Sequence, residues 1–251
     1  MGSMEKEIAD RLIQLNREFY QLYSISFSQT RRRIQPGVAR VLHALPDDGV
    51  WLDIGCGNGN LIVHWAHQGF HGSITGVDFS QKLIQQAREY TAQTSQGNID
   101  FHLANIADKD WASALPHQDW NGIFLFAVLH HIPGKENRRK ACAQLRGLLQ
   151  PGSCCYLSVW QPHKSKRLSR RFQPWTSMGF REDQVETGDV LMDWRAESQK
   201  EPNRSVFRYV HIFEGQELSA LAQSCGFFVQ EQFFSDGRQG NLGLYQRWQV
   251  R

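Results

Sequence analysis

Asp53 lies in a short apolar run, Val50-Trp51-Leu52-Asp53-Ile54, and three glycines follow it at alternate positions, Gly55, Gly57 and Gly59, with Cys56 and Asn58 between them. An apolar run of this length is the pattern of a buried strand, and glycine lets the chain turn beside a ligand with no Cβ in the way. Leu61-Ile62-Val63-His64-Trp65-Ala66 continues with helical spacing, so the turn feeds a helix whose free N–H groups point back over the loop. Two common phosphate loops, G-x-G-x-x-G and G-x-x-x-x-G-K-[ST], are absent. A second acid, Asp78, closes another strand-like run 25 residues after Asp53.

These residues need elements that bring them together. Strand patterns at 50–54, 73–78, 99–103, 120–126 and 154–160 alternate with helical patterns at 60–68, 81–91 and 136–149. Ser80 suits the N-cap of the second of these helices. Alternation of this kind predicts a parallel sheet with helices on both faces. Such sheets bind ligands outside the C-terminal strand ends, and Asp53, Asp78, Asn105 and Ala127-Val128 all fall there. Before the first strand, Ile8, Leu12, Leu15, Phe19 and Leu22 form a helical stripe over 5–23, and a second helix is expected over 36–45. After the fifth strand the alternation stops. Residues 161–205 are polar and basic, with Lys164, Lys166, Arg167, Arg170, Arg171 and Arg181 interleaved with Trp175 and Trp194, and short helices are expected there. A helix over 215–224 and strands over 227–234 and 242–249 close the chain, the last two joined as an antiparallel hairpin.

Composition narrows the class without choosing a substrate. The chain has 251 residues, 41% of them hydrophobic, and a formal charge of +3, which suits one α/β domain with an insert and does not itself demand a nucleic-acid partner. Five cysteines form no C-x-x-C pair, so reduced thiols are expected. No apolar run approaches the length of a membrane span, and no signal-like stretch opens the sequence, so a cytoplasmic location without membrane contact is expected.

D-x-G-x-G-x-G after a strand resembles the first motif of the class I S-adenosylmethionine-dependent methyltransferases. The resemblance covers about 200 residues, and it implies an α/β fold with a doubly wound, seven-stranded, mostly parallel sheet whose last strand is antiparallel. It implies S-adenosylmethionine as cofactor, with Asp53 and Gly55–Gly59 on its amino-acid tail, Asp78 on the ribose, Phe79 beside the adenine, and Asn105 and Ile106 as polar edge and apolar cover. Ala127 and Val128, after the fourth strand, complete the cofactor-binding residues that the resemblance implies. Three further segments resemble the family that methylates the modified wobble uridine of tRNA: Phe27-Ser28-Gln29-Thr30-Arg31, Val128-Leu129-His130-His131, and the run from Arg208 to Leu218. That family esterifies a 5-carboxymethyl group, and its eukaryotic members work with a small zinc-binding partner subunit. Carried over to this chain, Thr30 and Arg31 close over the cofactor, Arg31 faces a carboxylate, and His130 and His131 sit beside the transferred methyl.

The expected organisation is a helical cap (1–48), a cofactor-binding core (49–160), a basic and aromatic insert on the substrate side (161–205), and a C-terminal helix and hairpin that complete the sheet (206–251). The acceptor stays open between a tRNA carboxylate and a small acid or phenol-like molecule, and a non-catalytic S-adenosylmethionine-binding module is the third reading. No metal ligand set is expected.

Overall fold

The computed structural model describes residues 4–29, 33–92, 98–116, 119–194 and 206–251, with the side chains of 24–29 and 114 left out. The expected alternation forms one seven-stranded sheet. After the helices α1 (Lys6–Gln29) and α2 (Pro36–His43) come β1 (Val50–Ile54), α3 (Asn60–His67), β2 (Ser73–Asp78), α4 (Gln81–Thr91), β3 (Asn98–Leu103), β4 (Trp120–Phe126), α5 (Lys135–Gly147) and β5 (Leu149–Trp160). Next are the short α6 (Lys166–Ser169), then β6 (Phe172–Gln173), β7 (Asp189–Trp194), β8 (Val206–His211), α7 (Gly215–Ser224), β9 (Phe227–Ser235) and β10 (Gly243–Val250). The strand order is β3-β2-β1-β4-β5-β10-β9, with β10 antiparallel to both neighbours. The order reverses between β1 and β4, and that switch point opens a crevice at their C-terminal ends.

Two-residue periodicity divides the strands between two cores. Leu52, Ile54, Ile123 and Leu125 face the side of α5 and α7. Trp51, Phe124 and Ile74 face α2, α3 and α4, where Trp51 stacks on Phe124 with centroids 5.1 Å apart. The fifth strand starts earlier than its pattern suggests, at Leu149. Gly152, at φ +89°, lies inside it, and the pairing with β4 shifts register between Trp120 and Gly122.

The insert holds more than short helices. β7 pairs antiparallel with β6 on one side and β8 on the other as a separate three-stranded sheet, so 206–211 belongs to this sheet rather than to the large one. Helix α1 lies on that sheet, with Ile8 and Leu12 packed against Trp175, Phe180, Leu191 and Tyr209. Leu22 departs from the expected stripe and is 67% exposed. Its place in the buried face goes to a polar residue, Asn16, whose amide donates to the carbonyls of His131 (3.0 Å) and Tyr209 (3.1 Å) and accepts from the Tyr209 N–H (2.8 Å). A residue that reads as a surface position thus clamps α1 to β8 and to the turn after β4.

Candidate active site

One cavity of about 460 Å³ occupies the crevice, a volume within the range of small-molecule sites. Its floor is the glycine turn. Gly55 N–H and Cys56 N–H both bond the Val77 carbonyl, at 2.7 and 3.0 Å, which ties the turn to β2. Gly55 has φ +73°, and a Cβ there would overlap Cγ2 of Val128 on the turn after β4. A Cβ on Gly57, by contrast, would meet nothing within 4 Å. It would project into open space over the loop, which suits a ligand lying directly on the backbone. Gly55→Ala is expected to lower stability by about 2 kcal/mol or more, since overpacking adds to the cost of a left-handed alanine. Urea denaturation measures this, and a midpoint equal to the parent's would show that Val128 gives way freely.

Both acids are buried in this floor. Asp78 accepts from Ser80 N–H (2.8 Å) through one oxygen and from Gly57 N–H (3.0 Å) through the other, so it holds the loop and the start of α4 together. Even so, burial raises its carboxyl to about 6. Asp53 is 3% exposed, and its Oδ2 is enclosed with no hydrogen-bond partner among the described residues. Burial first, and the neighbouring Asp78 second, raise its carboxyl to about 7. A buried carboxylate oxygen without a donor is costly. It fits a ligand that brings a positive charge or an N–H to the end of β1.

Above the floor, Phe79, Asn105, Ile106, Ala127 and Val128 line the same cavity. Asn105 forms a local turn by accepting from Ala107 N–H at 3.1 Å. His130 and His131 line it too. His130 is buried and its Nδ1 accepts from Trp160 N–H at 3.3 Å. His131 Nδ1 faces the Tyr209 carbonyl at 3.2 Å, so that nitrogen carries the proton and Nε2 accepts from the Tyr20 hydroxyl at 2.7 Å. Both nitrogens of His131 are therefore engaged with the helical roof and with β8. Thr30 and Arg31 lie outside the described residues.

The rest of the wall comes from residues that no local motif marks. Ile13, Asn16, Arg17 and Tyr20 come from one face of α1, spaced at i, i+3, i+4 and i+7. Ser158 comes from β5, and Asp236 and Tyr245 come from the hairpin. The helical spacing on α1 is visible in the sequence, but nothing local marks the face as a cavity wall. Of the tryptophans, Trp175 is core against Phe180 and Tyr209, while Trp160 lines the cavity. Away from the cavity, Glu186, Asp189 and His211 bring ligand-type atoms within 4.8 Å of one another. The Arg138 guanidinium, 2.6 Å from Glu186, supplies the cation at that cluster.

Comparison with known proteins agrees with this geometry. A family model described as a methyltransferase domain matches residues 26–232. The tRNA (carboxymethyluridine(34)-5-O)-methyltransferase ALKBH8 of Mus musculus is 30% identical over 157 residues, which are 60% of this chain and 21% of that protein. The chain thus spans about a fifth of that relative's length. The tRNA (carboxymethyluridine(34)-5-O)-methyltransferase of Schizosaccharomyces pombe is 27% identical over 234 residues, 85% of this chain and 89% of that one. Among solved structures, a SAM-dependent methyltransferase from Methanosarcina mazei shares the fold at a TM-score of 0.63 and 22% identity, over 86% of this chain and 98% of its own. No helix among the described residues is long and apolar enough to cross a membrane. With the glycine turn, the two strand-end acids, the strand order and a family match over most of its length, the chain belongs to the methyltransferase domain family and is an S-adenosylmethionine-dependent methyltransferase.

Proposed function

We propose that this methyltransferase esterifies the carboxylate of a 5-carboxymethyluridine at the wobble position of tRNA. The observation that carries the reading is the match to a relative of that named activity along nearly the whole of both chains. The V-x-H-H and R-Y-V-H segments belong to the same likeness, and both lie at the cavity or its roof: His130 and His131 line it, and Tyr209 holds Asn16 and His131.

S-adenosylmethionine supplies a methyl group on a cationic sulfur. Asp53, with its unpartnered oxygen, holds the positive end, the Gly55–Gly59 backbone cradles the amino-acid tail, and Asp78 receives the ribose hydroxyls. Phe79, Asn105 and Ile106 take the adenine. A carboxylate acceptor is already ionised near neutral pH, so it needs no general base. The chain's contribution is then to align nucleophile and methyl. His131, with both nitrogens engaged, serves as a fixed wall rather than a proton acceptor.

The surface beside the cavity supports a polyanionic acceptor. Leu168 seats α6 against Trp160 and Leu242, two cavity residues, and leaves Lys164, Lys166, Arg167 and Arg170 exposed around it. Among the described residues none of these four forms an ion pair, in contrast to Arg181, which pairs with Asp183 at 2.9 Å. Four exposed cations on the segment that packs against Trp160 and Leu242 suit a phosphate backbone.

Purified protein is expected to transfer a methyl group to tRNA carrying 5-carboxymethyluridine, read as the methyl ester by mass spectrometry of digested nucleosides. Replacing Lys164, Lys166, Arg167 and Arg170 by alanine is expected to reduce the salt slope of tRNA binding by about one per cation removed, with donor affinity unchanged. No ester on that tRNA, with or without a small zinc-binding partner subunit added, would sink the tRNA reading. It would leave a small acid or phenol-like acceptor as the class to screen.

A further inference from the structure

Helix α2 starts without a cap of its own. Pro36 opens it and has no N–H, and Gln35 at the N-cap position makes no side-chain bond, so the next donor to be satisfied is the Gly37 N–H. Asp236 Oδ1 takes that donor at 2.9 Å, across 199 positions of the chain. A carboxylate at a helix N-terminus also meets the positive end of the helix dipole. The cap of α2 is therefore supplied by the turn of the C-terminal hairpin.

The hairpin is built to deliver it. Asp236 has a left-handed backbone, at φ +70°, and its carbonyl accepts from Leu242 N–H at 3.1 Å across the turn. Such conformations of non-glycine residues persist where their surroundings over-determine them, and they concentrate at functional sites. Asp236 Oδ2 accepts from the Tyr245 hydroxyl at 2.6 Å. Burial first, and Asp236 beside it, hold that phenol protonated well above its ordinary range, so it remains a donor. The Tyr245 ring stacks on Phe233 with centroids 4.9 Å apart. From α2, the Arg40 guanidinium lies 4.0 Å from the centre of the Phe233 ring and 2.6 Å from Glu231. A Cβ on Gly37 would overlap the Tyr245 ring, so α2 rests directly on it.

This docking fixes a wall of the cavity. Asp236, Gly237 and Tyr245 line it from the hairpin, and Arg33, Ile34 and Gln35 line it from the segment that enters α2. Both Asp236 oxygens are engaged, by Gly37 and Tyr245, and among the described residues the Arg33 guanidinium forms no ion pair. The cavity thus has acids in its floor, Asp53 and Asp78, and guanidiniums on its wall, Arg33 and, from α1, Arg17. Guanidiniums match carboxylates in charge and in fork geometry. S-adenosylmethionine carries a carboxylate in its amino-acid tail, and the proposed acceptor carries another.

We propose that Arg33 receives a reactant carboxylate, and that Asp236, oriented by Tyr245, is the positioning residue that holds Arg33 at the cavity by capping α2. The proposal rests on the cavity being the methyl-transfer site, and the tRNA acceptor enters one arm of its test alone.

S-adenosylmethionine and its decarboxylated analogue are titrated by calorimetry into the parent, Arg33→Gln, Asp236→Gly, Asp236→Asn and the double variant Arg33→Gln with Asp236→Gly. KM and kcat are measured on tRNA bearing 5-carboxymethyluridine, and each protein is checked by a thermal melt. Glycine keeps the left-handed backbone and offers no cap, whereas the asparagine amide oxygen still accepts from Gly37 N–H. In Arg33→Gln the preference for the carboxylated donor is expected to fall about 10- to 100-fold if the donor tail is the ligand, or KM for the tRNA to rise about 10- to 100-fold if the acceptor is. Asp236→Gly is expected to move the same reading about 3- to 10-fold and Asp236→Asn less than about twofold. The double variant should match Arg33→Gln within about threefold, a non-additivity that a general loss of structure would not produce.

Parent values of both readings in Arg33→Gln overturn the assignment of Arg33. Parent values in a folded Asp236→Gly, or a double variant in which the two losses multiply, overturn the positioning by Asp236. Should Asp236→Gly fail to fold, Tyr245→Phe repeats the comparison with one hydroxyl removed, and parent values there overturn the positioning equally. No donor binding to the parent overturns the cavity reading and the proposal with it. No ester on that tRNA overturns the acceptor alone, and the donor preference then decides Arg33.

Discussion

Asp53→Asn is expected to weaken S-adenosylmethionine binding about 10- to 100-fold, the loss of a hydrogen bond to a charged group, while making the ligand-free protein more stable above pH 7. Both effects follow from the same unpartnered oxygen. Burial and Asp78 raise the Asp53 carboxyl from 3.8 to about 7. Between about pH 4 and 7 the folded protein therefore keeps a proton that the unfolded chain has released. Stability of the ligand-free protein falls as pH rises through that window, because the folded state binds more protons than the unfolded one. Asp78, raised to about 6, contributes with the same sign over a narrower range. Asparagine has no proton to lose, so the variant escapes a penalty that reaches at most on the order of 4 kcal/mol above pH 7.

A cationic donor reverses the preference of Asp53, since a positive charge nearby favours the ionised carboxylate. Donor binding should release protons near pH 7 and tighten between pH 6 and 8. Calorimetry in buffers of different ionisation enthalpy measures the proton release, and melting curves at pH 5 and 8 measure the stability. Parent-like affinity in the asparagine variant would remove Asp53 from the donor site. A variant less stable than the parent at pH 8 would show that Oδ2 is satisfied in the free protein.

Arg138→Met is the substitution expected to cost most in stability, about 3–5 kcal/mol, because it leaves buried negative charge without its partner. The Arg138 side chain is 2% exposed and donates to Glu186 Oε2 (2.6 Å), the Ile132 carbonyl (3.2 Å) and the Tyr209 hydroxyl (3.3 Å). Tyr209 in turn bonds Asp189 Oδ1 at 2.6 Å, and His211 bridges Asp189 and Glu217 at 2.7 and 2.8 Å. This network joins α5 to β7, β8 and α7, and through Ile132 it reaches the turn that carries His131. Without the guanidinium, Glu186 loses its ion-pair partner, while Asp189 and Glu217 keep their bonds to His211. Adding Glu186→Gln should return part of the loss, and the double-mutant cycle should give a coupling of about 1 kcal/mol or more between the two positions. A cost below about 1 kcal/mol for the single substitution would mean that the cluster behaves as a solvated surface pair.

Legibility of the site divides along a physical line. The glycine turn, Asp53, Asp78, Asn105 and the Ala127-Val128 turn could all be placed on one sheet edge from the sequence, because each is marked by its immediate neighbours. An apolar run followed by glycine states a strand and its end within a few residues. Asn16 shows the opposite case. It sits in a helix where polar residues normally face water, and it is buried because Tyr209, 193 positions away, offers both a carbonyl and an N–H. Leu22 is exposed for the complementary reason, since the helix meets the small sheet through Ile8 and Leu12 and that sheet cannot be read from the periodicity of the insert.

By itself, then, the sequence determined the α/β alternation, the closing antiparallel hairpin and the strand-end edge, since these follow from backbone freedom and apolar period over short windows, while the family resemblance implied the seven-stranded sheet and the donor. Only the tertiary structure decided that α1 roofs the cavity, that β7 pairs with both β6 and β8, that Ser158 takes the Ala127 N–H, and that Asp236 takes the Gly37 N–H. Those contacts join residues far apart in the chain. Polar side chains such as these read as surface positions until packing removes the water around them and leaves one another as hydrogen-bond partners.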